Sequence, residues 1–135
     1  SSGQWFTATK DGKVANISRD DCARAAAAVL AKGKAENKTY TLTGSQSLTT
    51  VQTAEIISQT ASKPLAVVQV SPADLKKGME GAGLPGFVAD MLVSSEENTA
   101  AGNFDIVTGD FETLTGEKPQ TAKAFFEANK AALAR

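Results

Sequence analysis

The first strong hydrophobic pattern in the chain predicts an amphipathic helix that begins near residue 19. The segment Ser18-Arg19-Asp20-Asp21 is typical of a capping box. In this motif the serine side chain accepts a hydrogen bond from the backbone amide of the acid three residues later, and the acid side chain accepts one from the backbone amide of the serine. Five apolar positions follow at helical spacing, Cys22, Ala25, Ala26, Val29 and Leu30. One face of this helix is therefore expected to be buried, and Gly33 is expected to end it.

A strand–helix–strand unit is predicted between residues 38 and 70. Lys38–Gly44 alternates along its length and is rich in β-formers, which is typical of a strand. Thr49 and Gln52 form a second capping-box pattern, and a helix is expected to run from there to about Thr60. Leu65–Val70 is apolar on nearly both faces. A helix that joins two strands over roughly 30 residues makes a βαβ unit, so the strands are expected to be parallel.

The apolar character of Leu65–Val70 also indicates what surrounds it. A strand that is apolar on both faces is typical of the interior of a sheet with helices on both sides. A sheet of two strands alone is marginally stable. We therefore expect an inner strand, either of a larger α/β domain or of a sheet that a second copy of the chain completes.

From residue 71 onward the pattern is mainly helical. Ser71-Pro72-Ala73-Asp74 is a capped helix start with proline at the first helical position, and Gly83 is the expected C-cap. Five apolar positions predict the next helix: Leu84, Phe87, Val88, Met91 and Leu92. Residues 94–103 are polar and are expected to form a loop or a frayed helix. Shorter helices are predicted at residues 110–115 and after Thr121.

Composition and charge exclude several kinds of function. The 135 residues carry 14 basic and 15 acidic side chains, a formal net charge of −1, so no basic stripe is available to bind nucleic acid. The sequence has no apolar run of the ~20 residues that a membrane-spanning helix needs. It contains no histidine, which excludes Ser-His-Asp and Cys-His catalysis and histidine-ligated metals within the chain.

The single cysteine and the first residues carry further information. Cys22 has no partner for an internal disulfide, and its place on an apolar stripe indicates a small buried side chain rather than a nucleophile. Ser1–Phe6 shows no initiator methionine and no signal-peptide pattern. We therefore expect the sequence to begin within a longer protein.

Two features are candidates for a binding site. Gly81–Gly86 matches the G-x-G-x-x-G pattern of dinucleotide-binding turns, but that site requires a preceding strand, and the residues before it are helical in pattern. Because Pro85 also has no amide to donate, we interpret the segment as a turn between two helices. Trp5 and Phe6 lie in a non-periodic segment, where they are expected to line a cleft or to seal an interface with another part of the protein.

Several segments, taken in order, resemble a known family. They are Val14–Ala23, Lys38–Gly44, Leu48–Thr50, Ser58–Ser71, Gly83–Pro85 and Thr113–Pro119. They resemble motifs of the NmrA-like atypical short-chain dehydrogenases/reductases, among them I-x-R-x-D-x-A, K-x-Y-x-L-T-G and S-x-x-x-G-K-P-V-x-Y-x-x-V-S. Ser62 stands where the family usually has glycine, and Val68 where tyrosine is common. The nearest members are NAD(P)H-dependent quinone oxidoreductases, with triphenylmethane-dye reductases close to them.

This resemblance implies an α/β fold that is the C-terminal part of a Rossmann-type domain. Residues 1–70 would form its closing βαβ portion with parallel strands, and residues 71–135 a small, mainly helical substrate-binding lobe. NADP or NAD would be bound mainly by an N-terminal portion and would pass a hydride to a quinone-like or dye-like acceptor. By the same analogy, Trp5, Phe6, Phe87 and Met91 line the acceptor side of the cleft. No catalytic, cofactor-binding or metal-binding residue is assigned.

Other functions are compatible with the same resemblance. Some members of the superfamily bind the dinucleotide and then regulate a protein partner, so a non-catalytic NAD(P)-binding redox sensor of the NmrA type is the alternative. A helical interaction module is a third interpretation. We expect a cytoplasmic protein without nucleic-acid or membrane partners, for which a homodimer is one possible assembly. The 135-residue chain by itself is expected to be inactive.

Overall fold

The computed structural model describes residues 3–32 and 37–133. In chain order its elements are β1 (Gln4–Thr7), β2 (Lys13–Val14), α1 (Arg19–Ala31), β3 (Leu48–Thr49), α2 (Thr50–Ala61), β4 (Ala66–Gln69), α3 (Pro72–Gly81), α4 (Gly86–Ala100), α5 (Asp110–Thr115), α6 (Ala122–Ala128) and α7 (Lys130–Leu133). In these two ranges, no helix has the length and apolar character needed to cross a membrane.

The strands form two short pairs. β1 and β4 are parallel, with Gln4 opposite Ala66 and Thr7 opposite Gln69. β2 and β3 are antiparallel. Parallel strands need a long crossover connection, and here α1 and α2 both lie within it. The predicted parallel arrangement is therefore confirmed, but β4 pairs with β1 and not with residues 38–44.

Lys38–Gly44 does not form a strand in the described part of the chain, so this prediction is wrong there. A strand requires a neighbouring strand to accept its backbone hydrogen bonds. This segment has another partner: the amide of Thr41 donates to the carboxylate of Asp110, the first residue of α5, at 2.7 Å. The alternation still has a structural effect, because Tyr40 and Leu42 pack against a buried cluster.

The expectation that Leu65–Val70 is an inner strand places its further neighbours outside this chain, so it stays a prediction. β4 pairs with β1 along one edge, and no described strand pairs with its other edge. The apolar side chains that flank β4 have other neighbours: Val70 packs on a core cluster, and Leu65 lines a cavity. The apolar pattern of this segment agrees with these contacts.

The helix α1 begins where it was predicted but buries less of its apolar stripe. Ala25 is buried, Cys22 is half-buried, and Leu30 is 80% exposed. The predicted burial therefore holds for the first part of the stripe only, because α1 packs mainly on the short helix α5. Gly33, the expected end of the helix, lies outside the described residues.

Asp21, in the first turn of α1, takes part in the helix cap and also binds other parts of the chain. The hydroxyl of Ser18 accepts a hydrogen bond from the amide of Asp21 at 3.0 Å, as predicted. The carboxylate of Asp21, 3% exposed, accepts from the amide of Gln120 at 2.8 Å and from the guanidinium of Arg24 at 3.0 Å. These partners satisfy a buried charge and join α1 to the segment before α6.

The helix α4 is longer than the sequence indicated. Residues 94–100 were expected to be a loop or a frayed helix, yet they continue α4 to Ala100. Val93 and Thr99 are buried on this helix, and Gly12 approaches so closely that a β-carbon on it would lie 2.0 Å from the carbonyl oxygen of Thr99. The polar composition of these residues did not predict a helix, and their packing in the tertiary structure stabilises one.

The buried apolar residues form two clusters. The first joins β1, α3 and α4 through Ala8, Leu75 and Val93, with Val70 and Met79 packed against it. The second joins α1 to α5 through Ala25, Phe111 and Leu114. The first of these clusters lies directly beside the candidate site.

Candidate functional site

An apolar cavity of about 810 Å³ lies between the β1–β4 pair and α3. The helix follows β4 almost immediately: the Ser71 hydroxyl accepts from the amide of Asp74 at 3.1 Å, and Pro72 fills the first helical position. Leu75 then packs into the first core cluster. This connection holds α3 against the strands and leaves the cavity between them.

The lining of the cavity is mostly hydrocarbon. Trp5 and Phe6 contribute from β1, Leu75 and Met79 from α3, and Leu84 from the turn that follows. Aromatic and aliphatic linings of this kind are typical of sites for apolar small molecules, in which a few polar groups fix the orientation.

Two polar side chains also line the cavity, Gln4 and Asp74. Asp74 is the one titratable side chain of the lining within the described residues. One of its carboxylate oxygens accepts a hydrogen bond from the Ser71 hydroxyl at 2.6 Å. Asp74 is an exposed residue, so its carboxylate lies in a part of the lining that is open to solvent.

The four residues predicted to line the acceptor side do not all meet at this cavity. Trp5 and Phe6 line it. Phe87 and Met91 lie one turn apart on α4, 77% and 64% exposed, and are not part of its lining. The assignment of Phe87 and Met91 to the acceptor side therefore stays a prediction.

Sequence reasoning missed Gly78, which lines the cavity from the middle of α3. A glycine inside a helix costs about 1 kcal/mol relative to alanine. A β-carbon on Gly78 would meet nothing within 4 Å, so close packing does not account for this glycine. An interior glycine in an otherwise regular helix was the signal that could have drawn attention to this position.

A hydrogen-bonded network holds the carboxyl end of β1 next to the cavity. The carboxylate of Glu96 accepts from the hydroxyl of Thr7 at 2.6 Å and from the amide of Ala8 at 2.7 Å. The Thr7 hydroxyl is 3.0 Å from that of Thr9, which is 2.7 Å from the Thr50 hydroxyl. The network was missed because it depends on Glu96, which lies in a segment expected to form a loop or a frayed helix.

An ion pair closes the helical hairpin that borders the site. The ammonium of Lys76 on α3 lies 2.5 Å from the carboxylate of Asp90 on α4. The hydrogen bond to Asp90 raises the pKa of Lys76 above its ordinary value. Gly81–Gly86 forms the connection between these two helices, as predicted, with Gly83 at a φ of +93°.

A second cavity, of about 310 Å³, has a different chemistry. Amide side chains of Asn16, Gln46 and Gln120 line it together with Phe125 and Phe126 of α6. The two phenyl rings stack edge to face, with centroids 5.5 Å apart. The described part of the chain holds no group of acidic or cysteine side chains suited to a metal ion.

Comparison with known proteins gives a consistent set of relatives. No protein-family model matches the chain. It is 34% identical over 100 residues to quinone oxidoreductase 2 of Escherichia coli (strain K12), covering 74% of this chain and 35% of that protein. It is 31% identical over 133 residues to the NAD(P)H azoreductase of Xenophilus azovorans, covering 96% of this chain and 46% of the relative. The chain therefore spans less than half of the length of these relatives.

Solved structures agree with the sequence relatives. The crystal structure of an NADPH-dependent quinone oxidoreductase from E. coli matches with a TM-score of 0.88 at 29% identity, over 94% of this chain and 46% of that one. The triphenylmethane reductase of Citrobacter sp., solved with NADP(H), matches with a TM-score of 0.85 at 27% identity, over 96% of this chain and 45% of that one.

These matches define the class of the protein. The chain has the α/β architecture of the C-terminal part of Rossmann-like quinone reductases. It belongs to the NAD(P)H quinone reductase and NmrA-like family of oxidoreductases, whose members bind NADP(H).

Proposed function

We propose that this chain is the C-terminal portion of an NAD(P)H-dependent oxidoreductase that passes a hydride to a quinone-like or dye-like acceptor. The observation that carries the proposal is the apolar cavity beside Trp5 and Phe6, of a size and lining suited to a flat, conjugated molecule. The relatives named quinone oxidoreductase, azoreductase and triphenylmethane reductase support the same class of acceptor.

The described residues do not fit the phosphates of a dinucleotide. The segment Gly81–Gly86 lies between two helices and not after a strand, and Pro85 has no amide donor. We therefore assign the binding of NADP(H) to an N-terminal portion of the protein. We expect residues 38–44 to pair with a strand of that portion, since their alternating pattern is typical of a strand.

The acceptor side is proposed to include Trp5 and Phe6 at the cavity, with Phe87 and Met91 on the neighbouring helix. All four offer apolar surface, and in such reductases the cofactor performs the chemistry while the protein positions the acceptor. A cytoplasmic location and a homodimer are further parts of the proposal. Cell fractionation and light scattering test them.

The decisive experiment uses the complete protein with NADPH and a quinone. Steady oxidation of NADPH, followed by absorbance, is the expected result. Tight binding of NADPH without turnover of a quinone, an azo dye or a triarylmethane dye would contradict the proposal and support a redox sensor instead. A matched reaction without acceptor measures background oxidation.

A further inference from the structure

The second cavity, of about 310 Å³, lies between the segment before α1, the start of α2 and the helix α6. The half-buried part of its lining includes Ile17, Gln120, Ala122 and Phe126. Ile17 also packs against the second core cluster, so this part of the lining is continuous with the core. The volume is at the lower end of the range of about 300–1,000 Å³ that small-molecule sites occupy.

The lining of this second cavity is polar but uncharged. Among the described residues it contains amide and hydroxyl side chains but no aspartate, glutamate, lysine or arginine. A charged ligand that leaves water needs a compensating partner, and this lining offers none. The cavity therefore favours a neutral ligand that forms hydrogen bonds.

Gln120 is fixed through its backbone, while its side chain is available to a ligand. Its backbone N–H donates to the carboxylate of Asp21 at 2.8 Å, and Asp21 is 3% exposed. No described residue forms a hydrogen bond with the side-chain amide of Gln120. This amide offers a donor and an acceptor side by side, so its complement is a ligand edge with an acceptor beside a donor. Lactams and other amides have such an edge.

Two aromatic side chains supply an apolar surface in the same cavity. Phe125 and Phe126 both line it, with ring centroids 5.5 Å apart and an angle of 76° between the ring planes. Aromatic rings interact with other conjugated rings through offset stacking and edge-to-face contacts. A flat conjugated ligand is therefore favoured over a puckered aliphatic one.

We propose that this cavity binds a neutral, planar heterocycle with a lactam or amide edge, which pairs with the side chain of Gln120 and packs on the phenyl rings of α6. The site is distinct from the apolar cavity beside Trp5 and Phe6, because the two linings share no residue. Binding at this site does not depend on the proposed reductase function.

The test measures binding of the flat, neutral lactam 2-quinolone to the complete protein by calorimetry. The protein is saturated with NADP+, so that its dinucleotide site is occupied and no hydride is available. Three analogues provide the comparison: the N-methyl form lacks the N–H donor, the 4-carboxylate adds a negative charge, and piperidin-2-one has the lactam without the aromatic rings. We expect 2-quinolone to bind at least about tenfold more tightly than each analogue.

The role of Gln120 is tested with Gln120→Leu, which should weaken binding of 2-quinolone about tenfold. The same variant should bind 2-quinolone and its N-methyl form equally, a result that a general loss of structure would not produce. Gln59→Leu is the matched control, because Gln59 is exposed on α2 and does not line the cavity. It should keep the wild-type affinity and the preference for the N–H form.

The location of the site is tested with Ala122→Phe, which places a ring in the cavity and should abolish binding. Ala124→Phe adds the same ring to α6 at an exposed position outside the lining and should bind as the wild type does. Circular dichroism verifies the fold of each variant. The proposal would be overturned by equal affinity for 2-quinolone and its 4-carboxylate, by wild-type affinity of Gln120→Leu or Ala122→Phe, or by no detectable binding of 2-quinolone to the folded protein.

Discussion

At the scale of single residues, Glu96 shows how one side chain fixes the end of a strand. Its carboxylate binds both the hydroxyl of Thr7 and the amide of Ala8, where β1 ends beside the cavity. Hydrogen bonds to a charged group contribute more than neutral ones, about 1.5–3 kcal/mol each. The contact comes from the part of α4 that the sequence pattern indicated as a loop or a frayed helix.

Glu96→Gln should therefore lower the free energy of unfolding by about 1–2 kcal/mol, since the amide keeps one acceptor but loses the charge. Glu97→Gln is the matched control, because the neighbouring side chain is exposed, and a change within about 0.5 kcal/mol is expected there. Urea denaturation followed by circular dichroism measures both. Equal effects of the two substitutions would show that the network does not stabilise the fold.

At the scale of secondary-structure elements, close approach between backbones decides which residues are tolerated. The turn that contains Gly12 lies against the carboxyl-terminal end of α4, and a β-carbon at residue 12 would overlap the carbonyl group of Thr99. Neither backbone can move without disturbing the buried face of α4.

Gly12→Ala should destabilise the protein by about 2 kcal/mol or more, because overpacked sites of this kind cost about 1–3 kcal/mol. Gly109→Ala is the control, since nothing lies within 4 Å of the added β-carbon. Thermal unfolding measures the difference. A Gly12→Ala variant as stable as Gly109→Ala would mean that the turn and α4 are not in contact in solution.

The ion pair between α3 and α4 makes a prediction about pH. Asp90 raises the pKa of Lys76 in the folded protein above its unfolded value. The stabilisation of the folded protein by this ion pair is therefore fully present below the unfolded lysine pKa of about 10.4. It is lost as the pH rises through the pKa of Lys76 in the folded protein.

The difference in unfolding free energy between the wild type and Lys76→Met should shrink as the pH rises from 8 through this alkaline range. Lys77→Met, which removes an adjacent lysine from the same helix, corrects for the general loss of positive charge. Urea titrations at each pH provide the values. A difference that does not change with pH would contradict the ion pair.

At the scale of the whole molecule, the chain contains an apolar cavity but no described turn that fits dinucleotide phosphates. It spans less than half of the length of its relatives. We therefore expect the purified 135-residue chain to show no oxidation of NADPH with any acceptor. An absorbance assay with the complete protein as the positive control checks this. Turnover above background by the chain alone would contradict the proposal that an N-terminal portion of the protein binds NADP(H).

The pattern of the sequence predicted the helices better than the strands. Capping signals at Ser18, Thr49, Ser71 and Thr121 each mark an observed helix start, because a cap is a local interaction between residues three apart. The pairing of β1 with β4 was missed because it joins residues about 60 positions apart. The division of the chain at residue 70 into two functional portions stays a prediction.

The residues of the candidate site were likewise only partly predictable from the sequence. The sequence indicated Trp5 and Phe6 as candidates because they are large aromatic side chains in a segment without periodicity. Asp74 was interpreted only as part of a capped helix start, and Gly78 was not singled out. Nothing in the local sequence distinguishes a capping aspartate or a helical glycine that lines a cavity from one that does not.

The sequence by itself determined the starts of α1, α2, α3 and α6, the absence of histidine from this chain and the family, because these depend on residue identity and short-range spacing. The tertiary structure alone decided which strand β4 pairs with, how far α4 extends and which side chains surround the cavity. These features depend on contacts between distant segments, and each is fixed by burial and hydrogen bonds that form only when β1, α3 and α4 come together.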